Sequence, residues 1–398
     1  MIYVFYFFAG VLILLSFKSL RGGLEYLRFF KTELSKPSPD YTPFVTVIVP
    51  CRGRDKGLDE NLRALFEQDY PDCEIVFVVD DKSDAAVPVI EEVLARSEQN
   101  VRLIIAPKAD GCSQKVENLR EAALHASDES RAFVFVDSDA RPSTDWLRYL
   151  VAPLSQQDVG AATGYRWFIS KNPSFASELL SVWNASIASA LGPNTKTNFC
   201  WGGSMAIRRD VFDRINMREE WRGTVSDDFA LTRAVKEAGL TIVFVPKALT
   251  ASVEDCSFRE LLEFTTRQMK ITRVYAPHLW LLSFFGSVLF VSVMKAAFLI
   301  EMFRQKTDFA VFVAIATIIL VTIFSVGKAW IRLRAAKLVL TGYQKELDRQ
   351  FWPQITLWLL TPALFLYNSF AALLSRRLKW RGITYELKSP VETVIIAD

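Results

Sequence analysis

Three polarity regimes succeed one another along the chain. Residues 1–17 are almost purely apolar, and Lys18, Arg21, Arg28 and Lys31 follow at once, a pattern predicting a membrane anchor with a basic flank. It lacks the charged start and small-residue cleavage site of a secretory leader, so a retained helix is expected, its N-terminus outside and Lys18 onward in the cytosol. After a proline-containing linker at 36–43 (KPSPDYTP), β-rich runs alternate with helical patterns as far as about residue 275. The predicted strands are 45–49 (VTVIV), 74–79 (EIVFVV), 102–106, 132–136 (AFVFV), 161–167 and 241–245 (TIVFV); the predicted helices are 59–66, 86–97, 115–125 and 229–238. This βαβα order is the signature of a wound sheet covered by helices on both faces. In such sheets ligands collect beyond the carboxyl ends of strands.

Beyond residue 275 the apolar stretches 278–300, 309–331 and 351–374 each have about the 20 residues needed to cross a bilayer. The connector 301–308 is balanced in charge, whereas 332–350 carries Arg332, Arg334, Lys337, Lys345 and Arg349 and is expected in the cytosol. Three full crossings would then leave Arg376, Arg377, Lys379 and Arg381 outside, against the positive-inside rule. Stretch 351–374 contains Pro353, Pro362 and Asn368, so it is expected to be re-entrant or interfacial and the basic tail to be cytosolic. The expected division is an anchor at 1–35, a cytosolic catalytic domain at 36–275 and a membrane domain with its tail at 276–398.

Composition narrows the function. Forty-seven Lys and Arg against 44 Asp and Glu leave a net charge of +3, without the basic excess of a nucleic-acid binder. The five cysteines form no C-x-x-C pair, and with only His125 and His278 any metal must be held by carboxylates, which points to a hard cation.

The carboxylates that end predicted strands carry the candidate chemistry. Asp80-Asp81 closes EIVFVV and can meet a nucleobase or ribose, or form an ordinary turn. Asp137-Ser138-Asp139 follows AFVFV; alternation sends the two acids apart, but a turn starting here can converge them on one Mg²⁺ or Mn²⁺. Asp227-Asp228 precedes a helix, either as a cap or as a general base for an acceptor hydroxyl. Arg267 and Lys270 lie one helical turn apart before the membrane block, suited to a diphosphate or to anionic lipid. Segment 175–191 has apolar residues at helical spacing, fitting either a lipid-facing helix or a core helix.

The order and spacing of these pieces, joined by VTVIVPCRG, Asn61-Leu62, the run from Phe66 to Pro71, the run from Lys115 to Leu119, and Cys200-Trp201-Gly202-Gly203-Ser204-Met205, resemble the inverting, nucleotide-sugar-dependent glycosyltransferases of family 2 type. Within them they resemble the ceramide glucosyltransferase branch and its bacterial, hopanoid-associated relatives. The resemblance covers 44–275 and implies an α/β GT-A catalytic fold, here with one N-terminal and two to three C-terminal membrane helices. It implies that Asp81 contacts the uracil or ribose, that Lys115 and Asn118 line the donor pocket, and that Asp137 and Asp139 serve the metal (Mg²⁺ or Mn²⁺) and the diphosphate. Asp228 becomes the general base, and Arg267, Gln268 and Lys270 match an element that holds the diphosphate. Asp227 stands where the family has Glu, and Lys270-Ile271 where it has Arg-Trp.

The expected activity is transfer of a hexose from a UDP-sugar, UDP-glucose or UDP-N-acetylglucosamine, to the hydroxyl of a membrane lipid such as ceramide or a hopanoid-like lipid. The expected partners are a nucleotide sugar, a lipid acceptor and the bilayer, with no nucleic acid. The alternatives are a polyprenyl-phosphate or polysaccharide sugar transferase and, from another class, an inactive nucleotide-sugar-binding membrane scaffold.

Overall fold

A computed structural model of the chain describes residues 2–96, 100–305 and 308–397. The end of the predicted helix 86–97 and part of the connector 301–308 lie outside the described residues. The chain divides into two compact units: a sheet unit of Thr32–Lys171, Ala190–Asp255 and Arg376–Asp398, and a helical unit of Met1–Lys31, Asn172–Ser189 and Cys256–Ser375.

The sheet unit holds strands β1 (Val45–Pro50), β2 (Cys73–Val79), β3 (Asn100–Ile105), β4 (Ala132–Phe135), β5 (Val159–Ile169), β6 (Met205–Arg208) and β7 (Thr241–Val253), ordered β3-β2-β1-β4-β6-β5-β7. β1 runs parallel to β2 and β4, whereas the short β6 is antiparallel to both β4 and β5. This mixed sheet flanked by helices is the GT-A arrangement expected from the sequence. β1 and β4 are buried along their whole length, which is why they read as unbroken apolar runs rather than alternating ones. β6 was not expected, since four residues of MAIR carry too little pattern.

Two helices, Gln114–Leu124 and Asp227–Glu237, place the chemistry. Val116, Leu119 and Ala122 of the first and Ala230, Leu231 and Ala234 of the second share one buried cluster with Ile48, Val76, Val78, Phe133 and Phe135. Because both apolar faces seat on the same patch of sheet, the first turns of the two helices meet. Ser113 caps one helix and Ser226 the other, and Ser113 Oγ donates to Val225 O at 2.9 Å, tying the two starts together. Trp221, fully buried, donates its indole N–H to Asp227 O at 3.0 Å and stands edge-on to Phe135 and Phe212.

The last residues, expected as a basic tail, instead form strands β8 (Arg377–Trp380), β9 (Ile383–Ser389) and β10 (Glu392–Ala397) in an antiparallel sheet ordered β10-β9-β8. Its inward row, Leu378, Ile383, Tyr385 and Leu387, is buried. Single charges at every second position hid this period-2 pattern behind a basic composition.

In the helical unit, Ile2–Leu34, Pro277–Phe303 and Phe309–Val339 are long and apolar enough to cross a membrane. Phe351–Leu359 and Thr361–Leu374 form a pair bent by 57°, with a short 3₁₀ turn at Leu357–Leu359 and Pro362 opening the second helix. Polar groups in the bent pair find partners inside this unit. Thr265 and Thr266 donate to Asn368 Oδ1, Gln354 donates to Ser181 Oγ, and Arg273 donates to Ala372 O at 2.8 Å. Of the two readings of segment 175–191, helix Phe175–Ala188 realises the core one, since nearly all its residues after Phe175 are buried. Phe285, Phe303, Phe312, Trp352 and Leu374 stay exposed, an apolar surface suited to lipid.

Replacing Trp221 by Phe keeps much of the ring packing but removes the indole hydrogen bond to the Asp227 carbonyl. A loss of about 0.5–1.5 kcal/mol is expected, read as a lowered thermal unfolding midpoint of the detergent-solubilised protein.

Candidate active site

The carboxyl ends of β1, β2 and β4 carry a dense set of charges. At its centre Lys115 Nζ lies 2.7 Å from Asp137 Oδ1 and 3.1 Å from Asp227 Oδ1. Burial works to lower this amine's pKa, but Asp137 and Asp227 outweigh it and the net shift is upward, so the lysine is charged. Asp227 is buried, and burial raises it to about 7 against the pull of Lys115. Neighbouring Asp228 is half-buried. It accepts from Ser226 Oγ and, at 2.7 Å, from Phe229 N, while its other oxygen faces Gly202 N–H at 3.3 Å. Gly202 is required here, because a Cβ would stand 2.2 Å from Asp227 Oδ2 and 2.8 Å from Lys115 Nζ.

Asp137 and Asp139 take different partners. Asp139 Oδ2 pairs with Arg166 at 3.3 Å, and the Arg166 guanidinium lies over the rings of Trp201 and Phe168 at 4.7 Å and 5.3 Å. A hydrogen-bonded turn starts here, with Ala140 N–H donating to Asp137 O at 3.0 Å, and the two acids are taken up by different cations. Among the described residues no group of three or more His, Cys, Asp or Glu side chains is arranged to hold a metal. Asp139 Oδ1 is nevertheless buried with no hydrogen-bond partner among the described residues. Beside it Glu254 is pushed up to about 8, first by burial and then by Asp139. An orphaned carboxylate oxygen next to a second acid fits a hard cation.

The remaining expected donor residues are distributed as follows. Asp80 is buried and bonded by Arg52 and by Lys108 at 2.8 Å. Asp81 is exposed and held below the usual carboxylate range chiefly by the Ser83 N–H and hydroxyl. Asn118 is buried, accepting from Gln114 at 2.9 Å and donating to Val78 O at 3.4 Å, so its amide serves the scaffold. Arg267, Gln268 and Lys270 lie on helix Phe258–Tyr275 of the helical unit, and Arg267 stacks on Phe264 at 5.2 Å. Sequence reasoning missed Arg166, Glu254, Asp55 and Arg381. The first two sit near the far ends of the long strands β5 and β7, and only the β5–β7 pairing brings them to Asp139.

The ligand edge of the GT-A sheet thus carries a lysine-centred set of carboxylates. The chain belongs to glycosyl transferase family 21, whose sequence profile matches residues 11–392. This agrees with the ceramide glucosyltransferase branch of the resemblance. It is similar to an N-acetylglucosaminyltransferase of Bradyrhizobium diazoefficiens, 27% identical over 244 residues, 58% of this chain and 49% of that one. It is also similar to a ceramide glucosyltransferase of Komagataella phaffii, 29% identical over 75 residues, 19% of this chain and 15% of that one. The chain spans about half the length of the N-acetylglucosaminyltransferases it matches. Among solved structures, a mannosyltransferase from Pyrobaculum calidifontis in complex with GDP-Man and Mn²⁺ matches with a TM-score of 0.46 and 19% identity, over 91% of this chain and 99% of that one.

Lys115→Met would leave Asp137 and Asp227 facing each other without a cation. Removing one partner of such a buried set costs about 3–5 kcal/mol, and a marked fall in the thermal midpoint together with loss of transfer activity is the expected result.

Proposed function

We propose that this protein is a membrane-bound, inverting glycosyltransferase that moves glucose or N-acetylglucosamine from a UDP-sugar to the hydroxyl of a membrane lipid. The observation that carries this reading is the pair of roles at the start of helix Asp227–Glu237. Asp227 is turned inward to Lys115, while Asp228 is half-buried and anchored through Ser226, Phe229 and Gly202. A fixed, accessible carboxylate suits a general base. Asp228 takes the proton of the acceptor hydroxyl as that oxygen bonds to the anomeric carbon; the bond to the diphosphate breaks on the opposite face, the nucleoside diphosphate leaves with the electron pair, and configuration inverts. Mg²⁺ or Mn²⁺ held by Asp139 with Asp137 would supply positive charge against the departing diphosphate. Asp81, exposed beyond β2, is suited to the base or ribose, and Lys115 to fixing the carboxylate array beneath the sugar. Arg267, Gln268 and Lys270 are proposed to serve the diphosphate. The names of the relatives support the two candidate sugars, and the three long apolar helices support an acceptor drawn from the bilayer.

Membrane topology follows from connectivity. The chain leaves the sheet unit at Asp255 and re-enters it at Arg376, so the crossings between must be even in number. Helices Pro277–Phe303 and Phe309–Val339 supply two, which leaves the bent pair on one face of the bilayer. The basic residues after the first span and after Phe309–Val339 support a cytosolic sheet unit.

Two experiments follow. Mass spectrometry of native lipid extract incubated with the membrane-bound protein, a divalent ion and a panel of nucleotide sugars should show a lipid gaining one hexose or N-acetylhexosamine. Asp228→Asn should slow that gain by about 10²- to 10⁴-fold; undiminished turnover in this variant would remove Asp228 from the mechanism. In sealed inverted vesicles, epitopes at the C-terminus and in the 190–200 loop should be cut by external protease together. Protection of one but not the other would refute the even-crossing topology.

A further inference from the structure

The C-terminal sheet returns to the ligand edge of the catalytic sheet and delivers a cation there. Trp380 pairs with Ile383, so Arg381-Gly382 is a two-residue hairpin loop, and both residues have positive φ, 51° and 92°. That geometry selects Asn or Gly at the first position; an arginine costs about 1 kcal/mol or more there, which directs attention to what its side chain does.

Arg381 Nη1 donates to Asp55 Oδ1 at 2.5 Å and to Arg52 O at 3.1 Å, while Arg52 Nε donates back to Arg381 O at 3.0 Å. The second Asp55 oxygen accepts from Ser138 Oγ at 2.7 Å, the middle residue of Asp137-Ser138-Asp139. The turn thus stands at the carboxyl ends of β1 and β4. Two further attachments fix the sheet. Tyr385 Oη, buried, accepts from Gln114 N at 3.1 Å, and Thr393 donates to Gly223 O at 2.8 Å. Gly223, at φ 80°, lies so close to Val391 O that a Cβ would stand 2.1 Å from it.

The other rim cations, Arg52 and Lys108, both serve the buried Asp80. Arg381 differs. Both Nη1 hydrogens are engaged, but Nε and Nη2 make no hydrogen bond among the described residues, and the side chain is 38% exposed. That free edge of the guanidinium is the fork that grips two oxygens of a phosphate at once. We propose that Arg381 is a donor-binding residue whose Nε and Nη2 hold the diphosphate of the nucleotide sugar, with the C-terminal sheet forming one wall of the donor site. This rests on the glycosyltransferase reading given above. Asp55 orients the fork while leaving it open.

The test uses full-length protein in detergent with UDP and GDP and the matching nucleosides as probes, comparing wild type with Arg381→Asn and Arg381→Lys. Asn suits the turn and so offsets part of the lost Asp55 pairing; Arg381→Asn should stay folded with a modestly lowered thermal midpoint, weaken nucleoside diphosphate binding by about 10- to 100-fold and leave nucleoside binding unchanged. Arg381→Lys should recover only part of the loss, since an ammonium cannot grip two oxygens in a plane. Equal diphosphate affinity in wild type and Arg381→Asn, or parallel loss of nucleoside and nucleoside diphosphate, overturns the proposal while leaving the glycosyltransferase reading standing. Failure of the wild type to bind any nucleoside diphosphate overturns both.

Discussion

The buried ammonium of Lys115 is the constraint on which the catalytic edge depends. Asp137 ends one strand and Asp227 opens a helix far along the chain, and each is drawn to the same nitrogen. Without that charge two carboxylates in a water-poor site would repel each other, or take up protons and lose their chemistry. The lysine in turn stays charged only because the acids outweigh its burial. The packing that makes this possible is apolar: two helices seat on one patch of sheet, and their capped first turns are carried to the same place. A steric condition accompanies the electrostatic one, since Gly202 leaves room for the contact.

Around this centre three further acids have counter-charges of their own. Asp139 has Arg166, Asp80 has Arg52 and Lys108, and Asp55 has Arg381. These cations are already held in place by carboxylates, so little side-chain ordering is left to the moment of any binding. The stacking of Arg166 on Trp201 and Phe168 serves the same end by fixing a planar cation against rigid rings.

The helical unit meets a different constraint. In a bilayer a broken helix is tolerated only where neighbours satisfy the freed polar groups, and in the bent pair Asn368 Oδ1, Gln354 Nε2 and the Ala372 carbonyl have such partners. Its prolines and asparagine therefore shape the segment as much as its hydropathy does.

Much of this was legible along the chain. The long apolar runs, the buried strands β1, β2 and β4, the irregular character of 351–374 and the motifs around Asp137, Lys115 and Asp228 depend on local period and composition, which a sequence carries directly. The family of the protein was legible for the same reason, because its motifs keep their order. Three things were not. The different partners of Asp137 and Asp139, Lys115 and Arg166, come from segments far from them in sequence. The approach of Glu254 and Arg166 to Asp139 depends on the pairing of strands far apart in sequence. The role of residues 377–397 depends on a sheet whose partner surface is made by Gln114 and Gly223. Each is a contact between distant segments, and only the tertiary structure decides which of the many possible distant contacts is made.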